Sequence, residues 1–215
     1  MVARLRLGAE HALALLAERL PSLPATARDR ARAVLDARAL LSANIATFAS
    51  AHAGSLRTRV HGDYHLGQVL VAGHDFVIID FEGEPGRPLA ERRAKQSPLK
   101  DVAGMLRSFS YAAYATLMAT SANRPGLVAR LEPAARIWEA SVSAMFLTNY
   151  LQTTARTRLV PVDQRCAGQW LDAFLLEKAL YELQYELASR PQWVDIPLLG
   201  ILRILNAPNM LEGIR

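Results

Sequence analysis

A short segment of this chain combines residue types that suit phosphoryl transfer. Residues 61–68 read His-Gly-Asp-Tyr-His-Leu-Gly-Gln, and Asp80 follows the apolar run 77–79. In kinase-type enzymes one carboxylate lies beside the acceptor hydroxyl, while an amide oxygen and a second carboxylate hold magnesium at the nucleotide phosphates. We therefore predict that Asp63 is the catalytic base and that Gln68 and Asp80 are magnesium ligands.

Each of these assignments has a structural alternative. An Asp after a Gly is often only a turn residue or a helix cap. Gln68 stands where kinases use Asn, and its amide could bind the metal or make a purely structural hydrogen bond. Glu82 follows Asp80 by two residues. It could ligate a second magnesium, bind substrate or form a salt bridge within the loop.

His61 and His65 are four residues apart and raise the possibility of a zinc site. That spacing brings two imidazoles to one metal only on a helix, whereas Gly62 and Gly67 favour a loop. No third ligand is evident. We expect His61 to brace the loop by hydrogen bonding to buried backbone groups.

The elements around this segment are predicted to be mostly helical. Pro21 and Pro24 end a first helix over 1–20, and Thr26 is the expected N-cap of a second helix running to about 53. A short strand over 56–60 and a β-hairpin, with arms 68–71 and 76–79, surround the motif. A loop rich in Gly and Pro then covers 83–97. Further helices are predicted over about 97–120, 128–157, 163–189 and 197–206.

Apolar residues at helical spacing are predicted to face the core of this mainly α-helical domain. On the second helix they are Val34, Leu41, Ile45 and Phe48. On the helix over 97–120 they are Val102, Met105, Phe109 and Ala113. On the next helix they are Ile137, Trp138, Met145 and Leu147.

Composition excludes several classes of protein. With 215 residues, 51% hydrophobic and 21% charged, the chain is of ordinary globular type. The net charge of +5 is spread along the chain, with one dense basic run at 92–95, so we expect no nucleic-acid partner. The longest apolar C-terminal run, 196–205, is too short for a bilayer and contains Arg203. Cys166 is the only cysteine, which favours a half-buried structural role and a cytoplasmic location.

Several segments resemble bacterial maltokinases. They are 61–68, 79–85, 91–108, 177–186 and 190–193. The motif and hairpin alone fit many small-molecule kinases, whereas 92–108 and 177–186 are far more specific. The resemblance implies the C-terminal lobe of a protein-kinase-like, aminoglycoside-phosphotransferase-like fold, which uses ATP and Mg²⁺ to convert maltose to maltose 1-phosphate. It also implies a trehalose-to-glycogen setting, with possible association with a trehalose synthase.

The residues of the helix that contains 177–186 by themselves suit a sugar-binding site. Lys178, Tyr181 and Tyr185 fall at i, i+3 and i+7 and so share one face. Aromatic faces flanked by charged groups suit the CH and OH surfaces of a disaccharide, although tyrosines at this spacing are more often core residues. The predicted substrate-binding residues are Glu177, Lys178, Tyr181, Glu182 and Tyr185.

The chain departs from a complete kinase before the motif. Residues 1–53 contain no lysine and no glycine-rich loop, so the parts that hold ATP are missing from this sequence. We expect one C-terminal-lobe domain over 1–215, with leading helices (1–58), a catalytic and metal-binding part (59–96) and a helical acceptor-binding part (97–215).

Three explanations remain open for a lobe of this kind. It is a fragment, inactive alone, or it complements a partner chain that supplies the nucleotide lobe, or it is a non-catalytic sugar-binding or regulatory remnant. The second explanation predicts an exposed apolar patch where the missing lobe would dock. Other acceptors, such as glucosamine or an aminoglycoside, are alternatives to maltose.

Overall fold

The structure, a computed structural model, describes residues 2–50, 56–121, 124–207 and 211. These residues form eight α-helices and one two-stranded antiparallel hairpin. The helices are α1 (Val2–Arg19), α2 (Ala25–Asp36), α3 (Arg38–Ser50), α4 (Leu89–Arg93), α5 (Leu99–Ser121), α6 (Pro125–Thr154), α7 (Gln164–Ser189) and α8 (Asp195–Asn206). The strands are β1 (Val69–Ala72) and β2 (Asp75–Ile78). The described residues group into two compact units, one of 2–50 with 163–207 and 211, the other of 56–162.

The first unit is a helical bundle built around α7. Helices α1 and α8 both pack on α7, and α2 packs on α8. The leucines Leu16, Leu171, Leu176, Leu183 and Leu198 are completely buried here. Burial of one such side chain contributes about 1.5–3 kcal/mol, so this core stabilises the unit. The buried face predicted for the second helix, at Val34, Leu41, Ile45 and Phe48, is confirmed.

The predicted second helix is in fact two helices, α2 and α3. The chain leaves helical geometry at Ala37, where ψ is 9°. Helix α2 packs mainly on α8 whereas α3 packs mainly on α1 and α7, so the bend lets each helix reach its own partners. The N-cap prediction was also wrong, because α2 begins at Ala25 with Pro24 at the cap and no side-chain cap bond. Residues 51–53 of the predicted helix lie outside the described residues.

The second unit contains the hairpin and helices α4, α5 and α6. Helices α5 and α6 pack along each other. The buried face predicted for α5, at Val102, Met105, Phe109 and Ala113, is confirmed. On α6 only Leu147 is buried as predicted, whereas Ile137, Trp138 and Met145 are 67%, 46% and 66% exposed.

The burial error on α6 has a clear cause. The buried residues of this helix are Thr154 and a stripe of Glu139, Ser143 and Leu147, spaced four residues apart. Glu139 is buried because it accepts a hydrogen bond from the Ser110 hydroxyl of α5. Buried polar groups need such a partner. A hydrophobicity pattern does not predict a buried glutamate whose hydrogen-bond partner lies on the neighbouring helix.

The predicted hairpin is confirmed, with its strands shifted by one residue. Val69 pairs with Ile78 and Ala72 pairs with Asp75. The predicted strand over 56–60 is reduced to one bridge between Thr58 and Gln96, and the loop after the hairpin contains the short helix α4. All residues from 70 to 82 are exposed.

The remaining helix predictions, α1, α7 and α8, match the structure to within about three residues. Cys166 is half-buried at the start of α7, and desolvation raises the pKa of its thiol. Over the described ranges, none of the helices is both long enough and apolar enough to cross a bilayer.

Candidate active site

The catalytic-type loop is held against the end of the hairpin by His61. The N–H of Asp63 donates to His61 Nδ1 at 3.4 Å, so Nε2 carries the proton that is donated to the Ile79 carbonyl at 2.7 Å. The imidazole is 6% exposed and lies against the Phe81 ring at 4.9 Å. One side chain therefore contacts the residue before Asp80 and the backbone of Asp63, and it brings the two loops together.

The side chains of the two predicted magnesium ligands, Gln68 and Asp80, contact each other. The Gln68 amide nitrogen donates to Asp80 Oδ2 at 2.9 Å. Gln68 lies in a short 3₁₀ turn, and its carbonyl accepts from Ile79 N–H at 3.0 Å, which extends the hairpin ladder to the residue before Asp80. Asp80 itself has φ of 64°, an uncommon conformation for a residue other than glycine.

The oxygen atoms of Asp80, Gln68 and Glu82 suit Mg²⁺, which binds few protein groups, better than a metal that needs a complete set of protein ligands. Among the described residues no group of three or more His, Cys, Asp or Glu side chains is placed to hold a metal ion. Magnesium usually keeps several waters and takes one or two carboxylates together with substrate phosphates. Asp80 and the Gln68 amide, whose oxygen and nitrogen exchange by a simple rotation, can supply that incomplete set. Glu82 is exposed two residues further along the same loop.

Asp63 lies half-buried at the mouth of this loop. Its Oδ2 is 3.9 Å from His65 Nε2, and His65 Nδ1 accepts from the Gly67 N–H at 3.0 Å. His65 is thus engaged in closing the 3₁₀ turn that carries Gln68. The two histidines contact different atoms of Asp63, His61 its backbone N–H and His65 its carboxylate, and each contacts one further loop residue.

Residues on one face of α5 contact the catalytic loop, and the sequence analysis did not predict these contacts. Asp101 accepts from the N–H groups of His61 at 2.7 Å and Gly62 at 2.9 Å. Ser108 Oγ accepts from the N–H of Leu66 at 2.9 Å. Between them Gly104 lies so close that an added Cβ would be 2.5 Å from the Tyr64 carbonyl oxygen. The spacing i, i+3 and i+7 was the available signal, because it places a carboxylate, a glycine and a hydroxyl on one helical face.

Burial dominates the electrostatics around Asp101. Desolvation raises the pKa of this carboxyl above its ordinary value, although the His61 and Gly62 N–H groups act in the opposite direction. Desolvation, followed by the nearby Asp101 charge, also raises the pKa of Tyr150 to about 12. The same two causes raise the pKa of Tyr64. Both phenols therefore stay protonated at neutral pH.

The predicted sugar-binding residues lie on α7, in the other compact unit. Glu177 pairs with Arg4 at 3.0 Å, and Glu182 is 7% exposed. The Lys178 ammonium lies 5.2 Å from the centre of the Tyr181 ring. These contacts give the face that carries Lys178 and Tyr181 a mixed aromatic and cationic character.

The exposed end of that face carries a second aromatic and cationic group. The ring of Tyr185, 48% exposed, faces the Arg190 guanidinium at 5.2 Å. Arg190 also lies 4.9 Å from the Trp193 ring and makes a two-pronged ion pair with the buried Glu186. These contacts fix the arginine in front of both rings.

The helical chain with its small hairpin has a kinase-like fold. Three solved structures of glucosamine kinase superpose on it with TM-scores of 0.70 and 26% identity, covering 95–96% of this chain and 46–47% of theirs. One of them contains glucosamine, ADP and inorganic phosphate.

The chain is also similar in sequence to curated glucosamine kinases. The chain is 30% identical over 190 residues to a glucosamine kinase of Streptacidiphilus jiangxiensis, covering 88% of this chain and 40% of that protein. It is 35% identical over 139 residues to a glucosamine kinase of Mycolicibacterium smegmatis, covering 64% and 32% respectively. No protein-family model matches the chain. The match spans less than half the length of these two relatives, both of which are described as glucosamine kinases and neither as a maltokinase.

Proposed function

We propose that this chain is the catalytic and acceptor-binding lobe of an ATP-dependent sugar kinase, with glucosamine as its acceptor. The contact between Gln68 and Asp80, beside a loop that presents Asp63, carries the proposal for the chemistry. The choice of glucosamine rests on the similarity to glucosamine kinases over 88% of the chain.

In this proposal each loop residue has a defined task. Asp63 orients the acceptor hydroxyl and accepts its proton as the bond to phosphorus forms. Asp80 and the Gln68 oxygen would hold Mg²⁺, with Glu82 as a further ligand, and the metal would neutralise charge on the nucleotide phosphates. His61 and Asp101 keep the two loops in register and do not touch substrate.

The hairpin supports the view that this lobe works with a nucleotide-binding part. Leu70, Val71, Phe76, Val77 and Phe81 are between 46% and 75% exposed. An isolated two-stranded hairpin is at best marginally stable in water, and contiguous exposed apolar residues mark interaction surfaces. In the full kinase this surface, which adjoins Asp80, would be covered by the lobe that holds ATP.

Maltose is the second candidate acceptor, from the sequence resemblance of 92–108 and 177–186 to maltokinases. Neither of the two curated relatives is described as a maltokinase, so maltose and an association with trehalose synthase rest on that resemblance alone. A non-catalytic sugar-binding role is the alternative if no transfer occurs.

A competition assay tests the proposal. The chain is joined to the nucleotide-binding part of a glucosamine kinase, and phosphate transfer from labelled ATP to glucosamine and to maltose is measured in one reaction. We expect glucosamine to be the preferred acceptor by kcat/KM. Preference for maltose would reverse the acceptor assignment. Transfer to neither sugar, by a fusion that binds ATP, would reject both acceptors and leave an aminoglycoside acceptor or the non-catalytic role.

A further inference from the structure

Arg92 and Arg93 are neighbours in the basic run 92–95 but have different surroundings. Arg93 is exposed, whereas Arg92 is half-buried against the loop that follows Asp80. Arg92 Nη1 donates to the Glu82 carbonyl at 3.3 Å. The Cβ, Cγ and Cδ atoms of Arg92 lie 3.4–3.6 Å from where a Cβ on Gly83 would stand. The aliphatic stem therefore packs on Gly83 while the guanidinium holds the preceding carbonyl.

Gly83 also lies close to the catalytic loop. Gly62 and Gly83 have φ of 87° and 80°, values that side chains rarely allow. A Cβ on Gly62 would lie 3.3 Å from Gly83 Cα. Gly83 is buried and lies close to both Gly62, which adjoins Asp63, and the stem of Arg92. Arg92 and the catalytic loop therefore share Gly83 as a common neighbour.

The loop between Asp80 and Gly83 needs such support. Asp80 has φ of 64°, and strained backbone of this kind persists only where the surroundings hold it. The Phe81 carbonyl accepts from Arg59 Nη2 at 3.5 Å, and the Glu82 carbonyl accepts from Arg92. Two arginines therefore hold the two carbonyls that follow Asp80.

We propose that Arg92 is a positioning residue that sets the path of Phe81–Gly83 and thereby places the Asp80 and Glu82 carboxylates for the divalent cation. This inference rests on the proposed function, because it assigns Arg92 to the same metal site. It gives a role to Arg92, one member of the basic run 92–95, through its contact with the Glu82 carbonyl. Outer-shell residues of this type commonly change metal affinity by about tenfold or more when replaced.

The test compares Arg92→Met, Arg92→Lys and Arg93→Met in the 215-residue chain labelled with ¹⁵N-glycine. With only 12 glycines, the resonances of Gly62 and Gly83 can be assigned by substitution. Mn²⁺ is titrated with ATP present, and its affinity is read from paramagnetic broadening of these two resonances. Thermal midpoints establish that each variant is folded.

We expect Arg92→Met to weaken Mn²⁺ binding about tenfold. It should also shift the NMR resonance of Gly62, because Gly83 lies close to both Arg92 and Gly62. Arg92→Lys, which keeps a donor near the Glu82 carbonyl, should recover part of the affinity, and Arg93→Met should match the unmodified chain. A folded Arg92→Met variant with unchanged Mn²⁺ affinity overturns the inference. If the unmodified chain shows no broadening at all, the proposed metal site fails. In that case, if the Gly62 resonance of Arg92→Met also keeps its chemical shift, Arg92 is not a positioning residue for the catalytic loop.

Discussion

At the residue scale, Asp63 is the side chain on which the chemistry depends. Asparagine keeps its size and can still orient a hydroxyl, but it cannot accept the proton. In the kinase fusion we expect Asp63→Asn to lower kcat roughly 10²–10⁴-fold while the KM for sugar changes little. Steady-state kinetics on the variant measure both values. A loss confined to KM would mean that Asp63 only binds the acceptor.

Asp101 shows how burial and hydrogen bonding compete within one residue. Because burial raises its pKa in the folded state, the folded chain holds this proton more tightly than the unfolded chain does. Its contribution to the free energy of unfolding is therefore largest below the ordinary aspartate pKa of 3.8 and declines as the pH rises through the raised value. Asp101→Asn removes this dependence.

We accordingly expect the stability of the unmodified chain, relative to Asp101→Asn, to fall as the pH rises from the ordinary aspartate pKa of 3.8 through the raised pKa of Asp101. Urea unfolding of both proteins across that range measures the difference, in which the titrations common to both cancel. A relative stability that rises with pH would show that the N–H groups of His61 and Gly62 outweigh desolvation.

At the scale of the element, α5 acts as a rigid support for the catalytic loop. A Cβ at Gly104 would collide with the Tyr64 carbonyl at 2.5 Å, and backbone cannot yield as a flexible side chain can. Gly8, inside α1, has no atom within 4 Å of the same position. The two helical glycines form a matched pair that separates helix propensity from contact with the loop.

We expect Gly8→Ala to stabilise the chain by about 0.5–1 kcal/mol, since alanine is the better helix former. Gly104→Ala should destabilise it by about 1–3 kcal/mol, because overpacking forces the loop or helix to shift. Chemical denaturation gives both values. Equal stabilisation by the two changes would show that α5 does not constrain the loop.

At the scale of the whole molecule, the exposed hairpin leads us to expect weak nucleotide binding by the 215-residue chain alone. A loop that supplies metal ligands without a base-binding pocket contributes little affinity, so ATP·Mg²⁺ should bind roughly at millimolar concentration or more weakly. The candidate sugar residues of α7 all belong to this chain, so glucosamine should bind measurably. Titration calorimetry of the 215-residue chain with each ligand tests this. Micromolar ATP binding would show that the nucleotide site lies within this chain.

The sequence alone determined the local features of this protein. The His-Gly-Asp motif, the hairpin and the apolar faces of α2, α3 and α5 follow from residue types at short spacing, because side-chain periodicity and turn chemistry act locally. The resemblance led to a kinase-like lobe, which the structure and its neighbours confirm as a fold. The assignment of maltose as the acceptor is not confirmed, because the two curated relatives are glucosamine kinases.

Only the tertiary structure decided which distant residues act on that motif. Asp101 bonds to the backbone of His61, about 40 residues earlier, and Arg92 contacts the loop after Asp80. The buried stripe through Glu139 and Ser143 and the bend at Ala37 likewise depend on neighbouring helices. The contacts of Asp101 and Glu139 join segments 40 and 29 residues apart, and their free energy depends on burial and on a partner that local sequence patterns do not contain.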